Sequence, residues 1–309
     1  MKVLSLTEPY AALIKENIKK IETRSWKTNY RGEIYIHASL TPISKEAKNN
    51  DKLMSLVNNM DLSFGNIICK CNLVDCIYMD KEFVEKIKQN NPAEYTCGEY
   101  EVGRYAWLLE NVEPLKEVIA SKGELGIWNY YSEKEIMNIM GKIEYGWVDN
   151  KKNKYYEPDE LFLDNYILQS PKEILKSKIG VCWDQVELER YLFRNHKLNI
   201  KTYFICHYDN DKCPTHTFLV YEKYNKFYWF EHSWDKYKGI HEFKNERELL
   251  ESIREKFIKD QLNNNYNEEN LLIREYSKPI SGITVVEFCK HCEQNQPIIL
   301  EDRYERINK

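Results

Sequence analysis

The 309-residue chain has no low-complexity stretch, no internal repeat and only 11 glycines, so its boundaries have to be read from patterning rather than from linkers. No run approaches the roughly 18 consecutive apolar residues of a membrane span. The N-terminus, Met1 to Thr7 with only Lys2 charged, lacks the apolar core and small-residue cleavage site of a signal peptide. A cytoplasmic protein without membrane partners is expected. There is no excess of basic charge either: the net charge is -4, with 17 Lys+Arg against 18 Asp+Glu up to residue 131 and 28 against 31 after it. That excludes general electrostatic binding of nucleic acid, so any such site must be local. The nine cysteines are odd in number and widely spread, unlike a small disulfide scaffold, and reduced thiols are expected. What is present is an ordinary globular balance, 42% hydrophobic and 30% charged. The length suggests two domains.

Patterning places these at 1–131 and 132–309. The first half opens with an extended run, Val3 to Leu6. Pro9 then suits the first turn of a helix that ends near Asn17, a residue tolerant of left-handed geometry. Strand-like segments follow at Ile21 to Trp26, Gly32 to His37, Phe64 to Tyr78, Tyr105 to Leu109 and Gly126 to Tyr130, interrupted by helical stretches at Ser44 to Met60 and Lys81 to Gln89. The sum is a small β-barrel with added helices. The second half reads as α+β: helices at Glu133 to Met140, after the N-cap signal Ser170-Pro171-Lys172-Glu173, and at Gln185 to Phe193. A strand at Lys201 to Tyr208 precedes a hairpin of Thr217 to Tyr221 and Phe227 to Phe230, and a helix follows at Glu246 to Lys259.

The sharpest constellation lies in this second half. Cys182 follows Gly180 at the start of a helix, where free N–H groups and the positive dipole end favour thiolate. A thiolate nucleophile needs a base, and the base needs an orienting group. If the hairpin turns about Tyr224, position 216 lies opposite 231 to 233, so His216 and Glu231 can meet. His232 then points to the other face and is a structural or rim residue. Asp184 is expected to cap the helix rather than react. The backbone N–H of Cys182 is one oxyanion donor, with Gln169 and Trp147 as candidates for a second.

The segments Gly180-Val181-Cys182-Trp183-Asp184, Thr215-His216-Thr217-Phe218 and Trp229-Phe230-Glu231-His232-Ser233-Trp234 resemble the core of the transglutaminase-like superfamily, whose papain-like fold orders its triad Cys, His, Asp. The resemblance implies Cys182 as nucleophile, His216 as general base and Glu231 as orienting acid, acting without a cofactor on a protein or peptide substrate carrying an amide. The departure is Glu231, one methylene longer than the family's Asp. A fold that kept this shape and lost the chemistry, leaving a peptide- or partner-binding scaffold, is the competing interpretation.

The first half carries a second resemblance. Leu4-Ser5-Leu6, Pro9-Tyr10, Lys19 to Trp26, Tyr30-Arg31-Gly32, His37-Ala38-Ser39 and Gly103 to Trp107 resemble an ASCH domain, a PUA-like barrel, with Asn17 where the GxKxxExR motif has glycine. The resemblance implies a cleft lined by Lys19, Glu22 and Arg24 that binds RNA or a modified nucleotide. Trp26, Tyr30 or Tyr105 supply stacking surfaces. Glu22 stands where related amidohydrolases of acylated cytidine place a Thr, and the missing hydroxyl argues against that activity. RNA processing through Lys19 and Glu22 is a third possibility, and simple pairing of Glu22 with Arg24 is the plainest one.

The remaining signals are weaker. Cys289-Lys290-His291-Cys292 has metal-like spacing but no second pair, so no metal is expected. Cys69 and Cys71 share a strand face and are expected to pack. Asp209-Asn210-Asp211 lacks the later features of a calcium loop and reads as a solvated turn.

Overall fold

In the computed structural model, which describes residues 1–157, 160–209, 213–262 and 266–300, the chain forms two units. One is Met1–Tyr131 with Asn195–Lys197, the other Ser132–Arg194 with Leu198–Lys309.

The first unit is built on β1 (Lys2–Leu6), α1 (Tyr10–Lys15), β2 (Ile21–Arg24), β3 (Gly32–Ala38), α2 (Lys45–Lys48), α3 (Asp51–Leu56), β4 (Asn66–Tyr78), α4 (Lys81–Asn90), α5 (Pro92–Thr96), β5 (Tyr105–Ala120) and β6 (Ile127–Asn129). Its strands form one sheet in the order β2-β5-β4-β3-β1-β6, with β1 parallel to β3 and the other pairs antiparallel. Irregularities at Ile36/His37 and at three points along β4 add the local twist that curls a sheet. The result is a curled half-barrel. Among the described residues no pairing joins β2 to β6, so the sheet does not close into the full barrel that the strand pattern suggests. α1 stops at Lys15 because Asn17 takes φ +57 and the amides of Ile18 and Lys19 turn back to the Leu13 carbonyl. That turn fixes the direction in which Lys19 leaves the backbone. Apolar residues of four strands, among them Leu4, Ile36, Leu73 and Trp107, form the core, and Cys69 and Cys71 are buried in it.

The second unit contains α6 (Glu133–Met140), β7 (Trp147–Val148), β8 (Lys154–Tyr155), α7 (Phe162–Asn165), α8 (Pro171–Ser177), α9 (Cys182–Leu192), β9 (Asn199–His207), β10 (Thr215–Lys223), β11 (Lys226–Glu231), β12 (Gly239–Phe243), α10 (Glu246–Gln261), β13 (Leu271–Glu275) and α11 (Val285–Cys292). An antiparallel sheet in the order β12-β11-β10-β9-β13 forms its centre. Tyr203, Phe218, Val220 and Trp229 of that sheet pack with Leu249, Ile253 and Phe257 of α10. The β10–β11 turn is the two residues Tyr224 and Asn225, both at positive φ (53 and 58), which matches the tight-hairpin geometry and pairs Lys223 with Lys226. α8 starts at a full capping box of Ser170 and Glu173.

Candidate functional sites

The start of α9 is set by two side chains and a glycine. The Asp184 carboxylate reaches back to accept from the Val181 amide at 3.2 Å and takes the Gln169 amide at 2.8 Å. Gln185 Nε2 donates to the Gly180 carbonyl at 2.8 Å. Gly180 passes so close to Asp184 that a Cβ there would lie 2.8 Å from the Asp184 Cβ. The chain therefore enters the helix in a single conformation, with Cys182 at the first helical position and buried. Asp184 is fully buried, and burial raises its carboxyl to about 7 despite the two amides that favour the charge.

The hairpin delivers the other two groups. The ladder pairs Leu219 with Phe230, and extending it by one residue sets Phe218 opposite Glu231. His216, two residues earlier, reaches Glu231 diagonally, and its Nε2 lies 2.8 Å from Oε2 of Glu231. Cys182 is the other group that acts electrostatically on the ring. With Nε2 engaged by the carboxylate, Nδ1 is the nitrogen left for the sulfur. Glu231 Oε1 accepts from Ser233 Oγ at 3.0 Å and from the Trp234 amide at 2.8 Å. Burial alone would lower the affinity of His216 for a proton, but the Glu231 charge, its hydrogen bond to the ring and the nearby Cys182 outweigh it and raise His216 to about 10. Burial alone would raise Glu231, but the charge and hydrogen bond of His216, together with the amide of Trp234 that donates to Glu231, bring it below its ordinary range. Trp234 stands edge-on to the His216 ring at 5.0 Å.

A cavity of about 700 Å³ opens beside this group, lined by Tyr145, Gln185, His216, His232 and Trp234 among others. His232 joins this wall instead of pointing away from it, because β11 ends at Glu231 and the two-residue alternation ends with it. Its Nδ1 lies 2.7 Å from Gln185 Oε1, and burial followed by the nearby Lys238 charge lowers it to about 4. His232 is thus a neutral wall residue. The oxyanion candidates Gln169 and Trp147 are both spent elsewhere. Gln169 donates to the Ile179 carbonyl at 2.9 Å and accepts from Ser177 Oγ at 2.9 Å, while the Trp147 indole donates to the Glu157 carbonyl at 3.1 Å. Tyr145, which the sequence patterns do not single out, lines the same cavity and interacts electrostatically with Cys182.

In the first unit a cavity of about 420 Å³ is lined by Lys19, Glu22, Arg24, Trp26 and Arg104, with Tyr10 and several hydroxyl side chains. Lys19 is 1% exposed and places Nζ 2.6 Å from the Ile21 carbonyl, 2.7 Å from that of Cys97 and 3.4 Å from Glu22. An ammonium has three donors, and these partners take all of them. Lys19 therefore holds the cleft together and is not offered to a phosphate. Arg24 pairs with Glu22 at 3.0 Å and donates from Nη2 to the Ser5 carbonyl at 3.1 Å, so Glu22 is the bridging acid of an internal network. Trp26, 39% exposed, presents a ring at the cleft while packing edge-on against Trp107 at 4.6 Å. Tyr30 and Tyr105 do not line it. The Tyr30 hydroxyl is tied to the Glu33 carbonyl and Tyr105 packs against Tyr78 at 5.7 Å, both rings lying against the core. Glu94 in α5, which sequence reasoning misses, braces this wall by accepting from the amides of Lys20 and Ile21 and from the Tyr100 hydroxyl.

Among the described residues no group of three or more His, Cys, Asp or Glu is assembled to hold a metal; Cys289 and Cys292 lie in α11. Of the Asp209-Asn210-Asp211 turn, Asn210 and Asp211 lie outside the described residues. No helix among the described residues is long and apolar enough to cross a membrane.

Residues 4–135 match the family model of the ASCH domain, so the N-terminal part of the chain carries an ASCH domain. Activating signal cointegrator 1 of Homo sapiens is 28% identical over 106 residues, covering 30% of this chain and 18% of that protein. The Mus musculus protein of the same name is 26% identical over 140 residues, 42% of this chain and 22% of its own length. The chain thus matches 18% to 22% of the length of these curated relatives. The ASCH match ends at residue 135, so every residue of the thiol site lies outside it.

Proposed function

We propose that the chain couples an ASCH domain for RNA or a nucleotide to a thiol acyl-transfer enzyme of the transglutaminase-like kind in its second unit. The observation that carries the enzymatic reading is the buried His216–Glu231 pair, with Cys182 acting on the same ring, beside an open cavity. In this reading His216 takes the Cys182 proton and the thiolate attacks an amide carbonyl. A C–S bond forms, the C–N bond breaks, and His216 returns the proton to the departing amine. Water, activated by the same imidazole, then releases the acid from the thioester. Glu231 keeps the ring oriented throughout and stabilises its charge whenever it holds the proton. The supports are geometric and chemical: nucleophile at a helix start, base on the neighbouring hairpin, carboxylate behind the base.

The test is the rate of iodoacetamide labelling at Cys182, followed by peptide mapping, with the other eight cysteines as internal controls. At pH 6 the expected result is labelling at least about tenfold faster at Cys182 than at any other thiol, an advantage lost in His216→Ala. Labelling of Cys182 at the rate of the buried thiols would overturn the enzymatic reading. It would leave the second unit as a scaffold for a peptide or protein partner.

The family match favours the second part of the proposal, ligand binding by the first unit. With Lys19 and Glu22 tied into the internal network and Arg104 paired with Glu99 at 2.7 Å, the surfaces left for a ligand are the Trp26 ring and the hydroxyls of the wall. That set suits a base stacked on Trp26 more than a row of phosphates. Trp26→Ala is therefore expected to weaken binding of a single-stranded oligoribonucleotide about 5- to 100-fold, on the scale of about 1–3 kcal/mol per stacked base. Fluorescence titration measures it, and unchanged affinity would remove Trp26 from the site.

A further inference from the structure

Tyr145 is held in place from both sides. On one side Glu144 and Ile179 form a parallel bridge, with the Glu144 amide donating to the Lys178 carbonyl at 2.9 Å and the Gly180 amide to the Glu144 carbonyl at 3.1 Å. The same segment, Ile179 and Gly180, leads directly into Cys182, so the tyrosine and the nucleophile are indexed to one piece of backbone. On the other side Gly146 takes φ +147, and a Cβ there would lie 2.3 Å from the Tyr155 carbonyl oxygen. Tyr145 is 45% exposed and lines the cavity, yet its hydroxyl interacts electrostatically with the buried Cys182. An ordinary surface tyrosine turns its hydroxyl to water.

Resting on the thiol-enzyme reading above, we propose that Tyr145 is a catalytic residue that donates from its hydroxyl to the oxyanion formed when Cys182 attacks a carbonyl. In the free protein the hydroxyl stands near enough to Cys182 to interact with it electrostatically. When the C–S bond forms, the carbonyl π electrons move to oxygen within reach of the same hydroxyl. The negative charge passes from sulfur to oxygen, and the donor follows it over a short distance. Tyr145 keeps its proton in every step; the amine leaves with the proton carried by His216. Burial, followed by the nearby Cys182, holds the phenol well above its ordinary range, which keeps it a donor. The proposal also supplies the second donor that Gln169 and Trp147 are too committed to provide.

Two reagents separate this role from a structural one. Iodoacetamide alkylates sulfur by displacement without an oxyanion, whereas p-nitrophenyl acetate acylates it through one. In Tyr145→Phe the p-nitrophenolate burst rate is expected to fall about 100- to 1,000-fold, the cost of losing one oxyanion donor, while iodoacetamide labelling of Cys182 changes less than about threefold. Equal loss with both reagents would mean that Tyr145 only positions the sulfur, and no loss with either would mean that it does nothing there; both overturn the proposal. The failure of the parent reading looks different. There, wild-type protein gives neither a burst nor rapid labelling, and His216→Ala changes nothing.

Discussion

Glu231→Gln is expected to lower the acylation rate of Cys182 by p-nitrophenyl acetate on the order of 10³-fold, comparable in kind with amide replacement of the acid in other triads. The physical reason is the direction of donation. Glu231 accepts from Trp234 and Ser233 at one oxygen and from His216 at the other. Glutamine can keep the first oxygen only by turning its NH₂ toward Nε2 of His216. The ring must then accept at Nε2 and carry its proton on Nδ1, facing the sulfur, where a base is needed. Glu231→Asp keeps the charge and loses a methylene, so it separates charge from reach. Recovery to within about tenfold of wild type would identify the carboxylate charge as the working part. Activity of Glu231→Gln equal to wild type would refute the triad.

The same substitution has a signature in stability. His216 is raised from 6.5 to about 10 in the folded protein, so its contribution is full below pH 6.5 and is lost as pH climbs toward 10. Glu231 is held below 4.5, so its contribution is full above pH 4.5 and is lost as the solution becomes more acid. The pair therefore stabilises most between about pH 4.5 and 6.5. The urea midpoint of Glu231→Gln should lie further below wild type at pH 6 than at pH 9. A deficit that is constant over this range would show that His216 is neutral when folded.

These contacts differ in how far the sequence foretells them. Local rules place Cys182 at a helix start, because Gly180 and the helical spacing that follows are both short-range signals. They also place His216 near Glu231, since a hairpin folded about Tyr224 leaves only a small choice of register. What escapes is whatever depends on a partner far along the chain. Lys19 reads as a residue lining a ligand cleft, and one of the partners that hold it inward is the Cys97 carbonyl, 78 residues away. Tyr145 gains its role only because Glu144 bridges to Ile179. His232 reads as facing away, since the alternation rule carries no information on where a strand ends. Tyr30 and Tyr105 match the family pattern of aromatics around the cleft, but ring direction is decided by packing and by the Glu33 carbonyl, not by residue type. The half-barrel has a similar cause, since closure depends on how the register irregularities in β3 and β4 accumulate curvature.

Asp184 gives the second large effect, and it acts on the nucleophile through the backbone. Its two oxygens take the amides of Gln169 and Val181, the second of which begins the turn into Cys182. Asp184→Ala leaves both buried donors without an acceptor and opens a void beside Gly180. Its expected cost is about 3–5 kcal/mol by urea denaturation. Asp184→Asn fills the space but aims an NH₂ at one amide, for about 1–3 kcal/mol. The asparagine variant also has a pH signature of definite sign. Because burial raises Asp184 from 3.8 to about 7, the folded state holds a proton that the unfolded state has released between those values, and wild type loses stability as pH rises across them. Asparagine does not titrate. The deficit of Asp184→Asn should therefore shrink from pH 5 to pH 7, by up to about 1.4 kcal/mol per pH unit. A deficit that stays constant over that interval would mean that Asp184 is charged in the fold and that the amides, not burial, govern it. In either variant the freed Val181 amide loosens the first turn of α9. Cys182 should then label about severalfold more slowly at pH 6 while the other thiols are unchanged, since a displaced sulfur loses both the helix start and the His216 contact.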